Sequence, residues 1–116
     1  MIVDDDAANR LIIKSFLEPF YDTQEAGSAE DCLENLGSTT PDLFLLDINM
    51  PGMSGYELCA ELRRRPQSNT TPIVFVSALE TAEERLAGYE AGGNGFLVKP
   101  VEKAQLNDIV ETQISN

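Results

Sequence analysis

Four apolar stretches of the chain end in side chains that handle charge. Met1-Ile2-Val3 runs into Asp4-Asp5-Asp6, Leu43-Phe44-Leu45-Leu46 ends on Asp47, Ile73-Val74-Phe75-Val76 ends on Ser77, and Phe96-Leu97-Val98 ends on Lys99. Carboxylates, a hydroxyl and an ammonium are what it takes to hold a cation and an anion side by side. Two carboxylates ~4 Å apart repel by about 4 kcal/mol at an effective dielectric of ~20, so such a cluster needs compensation. Lys99 neutralises one charge, and a divalent ion with oxygen ligands neutralises two more. Magnesium fits best, since it favours a few carboxylates, some waters and a phosphate oxygen. That set is equipped for phosphoryl transfer, with a carboxylate as nucleophile and the cations stabilising charge on the transferring group. Asp47 is the leading nucleophile because it closes the central apolar strand, leaving Asp4 and Asp5 to the ion. Charge alone does not separate those roles. The plainer reading is that Asp4 to Asp6 merely cap a helix and that Asp47 is a loop residue.

For the cluster to form, the elements must bring these four ends to one rim. After the acidic triplet comes a helical pattern in which Leu11, Ile12, Ser15, Phe16 and Phe20 share a face, ended near Pro19. Tyr21 to Ala26 reads as a polar strand at the sheet edge. Ser28 to Asp31 resembles a capping box, opening a helix through Leu33 and Leu36 that Gly37 stops. The runs ending at Asp47 and Ser77 are apolar throughout, as strands buried on both faces are. Between them, a loop with Pro51, Gly52 and Gly55 delays the next helix to about Gly55 or Tyr56. That helix carries Leu58 and Leu62, with Arg63, Arg64 and Arg65 at its C-terminal end, where they complement its dipole. Thr81 to Glu84 reads as another capping box, and Gly92, Gly93 and Gly95 close the helix it starts. Because Gly92-Gly93-Asn94-Gly95 precedes a strand, it is a turn and not a phosphate loop. A final helix carries Leu106, Ile109, Val110 and Ile114. The pattern is (βα)5, an α/β doubly wound five-stranded parallel sheet with helices on both faces. In such sheets ligands bind outside the carboxyl ends of the strands, which is where all the polar residues singled out above fall.

Composition narrows the chemistry. The chain has 116 residues, 20 Asp and Glu against 8 Lys and Arg, and no His, for a net charge of −12. One domain spanning 1–116 is expected at this length. Without His there is no Ser-His-Asp system, no His-ligated zinc and no phosphohistidine on this chain. Excess negative charge argues against direct binding of nucleic acid or anionic membrane. Cys32 and Cys59 form no C-x-x-C pair and read as buried free thiols. With no long apolar run and no signal peptide, a cytoplasmic location is expected. Met1 stands two residues before the acidic cluster, so the first strand looks clipped and part of a longer chain is expected.

Four motifs make the reading specific. Val3-Asp4-Asp5-Asp6, Leu45-Leu46-Asp47-Ile48-Asn49-Met50-Pro51-Gly52-Met53-Ser54-Gly55, Ile73 to Ala78 and Phe96-Leu97-Val98-Lys99-Pro100 resemble the CheY-like receiver domain of two-component response regulators. The resemblance spans nearly the whole chain and implies the flavodoxin-like strand order 2-1-3-4-5. It further implies that Asp47 is the phosphoacceptor, taking phosphate from a histidine kinase or a histidine phosphotransfer protein. Asp5, Asp47 and the backbone carbonyl of Asn49 would hold magnesium, with manganese as an alternative and Asp4 helping through water. Lys99 would bind a phosphoryl oxygen, Ser77 would move towards the phosphoryl group, and Phe96 would rotate inward. The Lys99-Pro100 bond would be cis. Phosphate would then switch the face built from the fourth helix, fifth strand and fifth helix towards a downstream effector domain or protein, with phosphorylation-linked homodimerisation as one form of output.

Some positions depart from the family pattern. Ser77 stands where Thr is commoner, and Phe96 replaces the commoner Tyr, so a hydroxyl at the output face is missing. Phe96 also reads simply as a core aromatic. Leu79 is expected to be unable to position a hydrolytic water. The last helix lacks the arginines that one large DNA-binding subfamily uses to dimerise. Two rival functions remain at this point. Haloacid-dehalogenase-like phosphatases use a D-x-D motif, which Asp4 and Asp6 supply literally, but they need a cap and more chain. A receiver that binds partners without phosphorylation usually lacks one of the acidic pair, the acceptor or the lysine. The expectation is a switch with only autophosphorylation and autodephosphorylation chemistry, and not a turnover enzyme.

Overall fold

Alternation of side chains along two central strands builds two separate cores. In β3 (Phe44–Asp47) and β4 (Ile73–Ser77) every residue is buried. Phe44, Leu46, Ile73 and Phe75 point to one side, and Leu45, Val74 and Val76 to the other, as the two-residue period of a strand requires. These strands therefore read as unbroken apolar runs. A computed structural model describes residues 1–37, 40–78 and 81–115. The remaining strands are β1 (Ile2–Val3), β2 (Glu25–Ala26) and β5 (Gly95–Val98). All pairings are parallel, in the order β2-β1-β3-β4-β5. The helices are α1 (Ala7–Leu17), α2 (Ala29–Glu34), α3 (Gly55–Arg64), α4 (Ala82–Glu90) and α5 (Lys103–Ser115).

One core takes Cys32 from α2 and Leu58, Cys59 and Leu62 from α3, against Phe44, Leu46, Ile73 and Phe75. The other takes Ile13 and Leu17 from α1 and Leu106 and Val110 from α5, against Ile2, Leu45, Val74 and Val76. Cys32 and Cys59 are buried free thiols, and burial pushes both up to about 11. No described helix is long and apolar enough to cross a membrane.

Local structure differs from the sequence reading in three places. The inner face of α1 is Ile13 and Leu17, with Phe16 packed at the core edge, while Leu11, Ile12 and Phe20 are 66%, 47% and 69% exposed. Three consecutive apolar residues, Leu11-Ile12-Ile13, leave the helical phase ambiguous, and packing of Ile13 and Leu17 one turn apart decides it. Strand β2 occupies only the last two of the six residues from Tyr21 to Ala26. Finally, Asp31 and Glu84 do not reach back to their helix N-caps. Ser28 and Thr81 do accept from the N–H groups of Asp31 and Glu84, but the Asp31 carboxylate accepts from Gly27 N and the Glu84 carboxylate from Ser77 Oγ. A complete capping box lies at Ser54 and Glu57 instead, where it starts α3. Leu79 lies outside the described residues.

Candidate phosphoacceptor site

Parallel register places the ends of β1, β3, β4 and β5 side by side. Val3 pairs with Leu46, Asp47 with Val76, and Ser77 with Val98, so Asp4, Asp47, Ser77 and Lys99 emerge at a common rim. Asp4 and Asp47 are 2% and 5% exposed, an unusual state for carboxylates and one that demands partners. Lys99 supplies part of the answer. Its Nζ lies 3.2 Å from Asp47 Oδ1 and 3.3 Å from Asp4 Oδ2.

Asp4 is further held by donors the sequence reading missed. Its Oδ1 accepts from Asp6 N at 2.9 Å and its Oδ2 from the Asn9 side-chain amide. Arg10 Nη1 donates to the Asp4 carbonyl at 2.6 Å. Asn9 and Arg10 lie in the first turn of α1, directly above the acidic triplet, so helix periodicity could have suggested them. Asp6 is the N-cap of α1, with Oδ1 accepting from Ala8 N at 2.9 Å. That task sets it apart from Asp4, and the literal D-x-D pair does not assemble.

Asp4, Asp5 and Asp47 each present a carboxylate oxygen within 4.8 Å of the others. Asp5 is exposed, which leaves the cluster open to solvent on one side. Burial pushes the Asp47 carboxyl up from 3.8 to about 6, repulsion from Asp4 adds to it, and Lys99 opposes both. Burial pulls the Lys99 ammonium down, but Asp47 and Asp4 outweigh that effect and its pKa is raised. The loop that follows Asp47 is pinned from two directions. Gly55 leaves no room for a side chain, since a Cβ would fall 2.3 Å from the Asp47 carbonyl oxygen. Across the loop, Met53 N donates to Glu30 Oε1 at 3.2 Å. Asn49 is exposed in that loop, two residues past Asp47.

Ser77 is buried beside these residues, and its Oγ donates to Glu84 Oε2 at 2.8 Å. Phe96, half-buried on β5, tilts against Phe75 at a ring separation of 6.2 Å. The Lys99-Pro100 peptide is cis.

With this arrangement in view, likeness to known proteins decides the family. Residues 1–111 match the response regulator receiver domain family. The chain belongs to that family. This receiver is 34% identical over 107 residues to the response regulator PleD of Caulobacter vibrioides, covering 91% of this chain and 24% of PleD. It is also 34% identical over 116 residues to a Vibrio cholerae protein named a probable cyclic di-GMP phosphodiesterase, covering 100% of this chain and 26% of that protein. Among solved structures, the chemotaxis protein CheY4 of Vibrio cholerae superposes with a TM-score of 0.92 at 26% identity, covering 97% of this chain and 94% of that one. The receiver thus spans about a quarter of the length of these two curated relatives.

The arginine run at the C-terminal end of α3 proves heterogeneous. Arg63 Nε donates to the Gly92 carbonyl at 3.0 Å, Nη1 to the Ser68 and Thr71 carbonyls at 3.1 and 2.7 Å, and Nη2 to Asn94 Oδ1 at 2.8 Å. Arg64 and Arg65 pair with Glu61. Arg63 thereby ties the end of α3 to the turns that lead into β4 and β5, which a charge run in sequence does not reveal.

Proposed function

We propose that this receiver is a magnesium-dependent phosphoacceptor in which Asp47 takes a phosphoryl group from a phosphohistidine of a histidine kinase or histidine phosphotransfer protein. The observation that carries the reading is the placement of Lys99 between Asp47 and Asp4 inside a cluster of three carboxylates. An acceptor oxygen, a fixed ammonium and an all-oxygen cation site meet at one point. Asp4, Asp5, Asp47 and the Asn49 carbonyl suit a hard divalent ion, magnesium first and manganese second. When bound, such an ion supplies positive charge opposite the phosphoryl oxygens.

In the transfer, an Asp47 carboxylate oxygen forms a bond to phosphorus as the phosphorus–nitrogen bond breaks, and the bonding pair stays on the donor's imidazole nitrogen. Asp47 becomes an acyl phosphate. Lys99 then holds one phosphoryl oxygen, giving up part of its pairing with Asp47. Attack of water on phosphorus returns the carboxylate and releases inorganic phosphate, so the chemistry resets a switch and does not turn over an outside substrate.

The new acceptor oxygens bias Ser77 and the first turn of α4 towards one arrangement. A groove of about 650 Å³ lined by Arg85, Phe96, Pro100, Gln105 and Ile109 runs along α4, β5 and α5. This face changes its affinity for an effector domain or protein, or for a second receiver. Moving the equilibrium from 1:99 to 99:1 takes about 5.5 kcal/mol, which a few charge-assisted hydrogen bonds at about 1.5–3 kcal/mol each supply.

The test is chemical mapping. After incubation with acetyl phosphate and magnesium, borohydride reduction converts an aspartyl phosphate to homoserine. Peptide masses placing homoserine at position 47 support the reading; modification elsewhere, or none, contradicts it.

A further inference from the structure

Glu84 occupies an unusual position for the third residue of a helix. Its N–H donates to Thr81 Oγ1 at 3.1 Å, which leaves its carboxylate the natural partner of the cap backbone. That carboxylate instead accepts the Ser77 hydroxyl at 2.8 Å. Its carbonyl accepts from Tyr56 Oη at 3.1 Å. Tyr56 packs on Phe75 at a ring separation of 5.4 Å, and Phe75 packs on Phe96 at 6.2 Å. One residue thus joins the rim of the phosphoacceptor site, the start of α4 and the aromatic row leading to the α4-β5 face.

A serine hydroxyl has one proton to donate. Carboxylate and phosphoryl oxygens are both charged acceptors and make hydrogen bonds of similar strength. Ser77 cannot donate fully to both. We propose that Glu84 is a latch on the switch: it holds the Ser77 hydroxyl in the unphosphorylated receiver, and the phosphoryl group on Asp47 acts by drawing that hydroxyl away. Glu84 is a positioning residue acting through Ser77, and the inference rests on the phosphoacceptor reading of Asp47. Release of Ser77 frees the carboxylate that tethers the first turn of α4, which couples occupancy of the site to the α4 face. The latch lowers the apparent affinity of the site for a phosphoryl group by the fraction of molecules in which Ser77 is engaged.

Beryllofluoride, a non-covalent stand-in for the phosphoryl group, measures this directly. The full chain, Glu84→Ala, Ser77→Ala and the double variant are titrated with it in magnesium, beside Asp47→Asn. The latch predicts about tenfold tighter binding by Glu84→Ala, a gain of about 1.4 kcal/mol, and no gain when the same change is made in Ser77→Ala. An equal gain in both backgrounds overturns the latch, because loss of a nearby negative charge then explains it. Unchanged affinity in Glu84→Ala, with binding that still needs Asp47, overturns the latch and leaves the phosphoacceptor intact. Absence of Asp47-dependent binding by the full chain overturns both.

Discussion

Lys99 Nζ stands 3.2 Å from Asp47 Oδ1, joining two residues 52 positions apart at the ends of β3 and β5, across the intervening β4. The ammonium is three-quarters shielded and also faces Asp4, so it is the fixed positive charge of an acidic rim. Lys99→Ala leaves two buried carboxylates without it. An unpaired buried charge costs about 1–3 kcal/mol or more, so this variant melts lower than the wild type at pH 7. Its rate of acetyl phosphate uptake falls at least about tenfold, since a charge on the transferring group goes unmatched. Circular dichroism melting and intact-mass time courses check the two effects separately.

Asp47 gives a pH prediction with a definite sign. Its carboxyl is raised from 3.8 to about 6, first by burial and then by Asp4. Between those values the native chain keeps a proton that the unfolded chain has released. Stability contributed by this group is therefore full below pH ~4 and lost as pH rises through ~6. With a chelator present, Asp47→Asn should be more stable than the wild type by about 1–2 kcal/mol at pH 7.5, and the two should converge near pH 4. Urea melts across that range check it. A constant gap across the range contradicts the assignment.

Magnesium should reverse that penalty. A ligand that binds only the folded state stabilises it by about 2.7 kcal/mol at a hundredfold excess over Kd. Thermal melts with magnesium should rise for the wild type and stay flat for the double variant Asp5→Ala, Asp47→Asn. Calcium, which takes more ligands at longer distances, should raise the melt less.

Arg63→Ala should destabilise the receiver by about 2–3 kcal/mol, since four hydrogen bonds from one guanidinium are lost and several acceptors are left without it. Arg63→Lys should not rescue it, because an ammonium cannot reproduce the planar fork. Arg64→Ala, whose partner Glu61 is at the surface, should change stability by less than about 0.5 kcal/mol. Denaturant melts of the three variants rank them.

Much of the site was legible because strand ends are legible. Asp47 and Ser77 close runs buried on both faces, and such runs have no polar residue until they leave the sheet. Residues whose partners are distant in sequence were not. Ser77 and Glu84 are only seven apart, yet Thr81-x-x-Glu84 fits a capping box equally well, and only the fold shows where the carboxylate goes. Arg63 bonds to Gly92 and Asn94 across about thirty residues, and nothing in the Arg63 to Arg65 run separates it from its neighbours. The phase of α1 is not legible in the sequence because Leu11, Ile12 and Ile13 are equally apolar, so the side facing the sheet depends on packing with α5.

Everything proposed for this receiver depends on Asp47 accepting a phosphoryl group with help from a divalent ion. Intact mass after incubation with acetyl phosphate, with and without magnesium and beside Asp47→Asn, measures it most directly. One phosphoryl adduct of about 80 Da, requiring both magnesium and Asp47, is the expected result. An adduct that persists in Asp47→Asn, or none in the wild type with magnesium present, would contradict it.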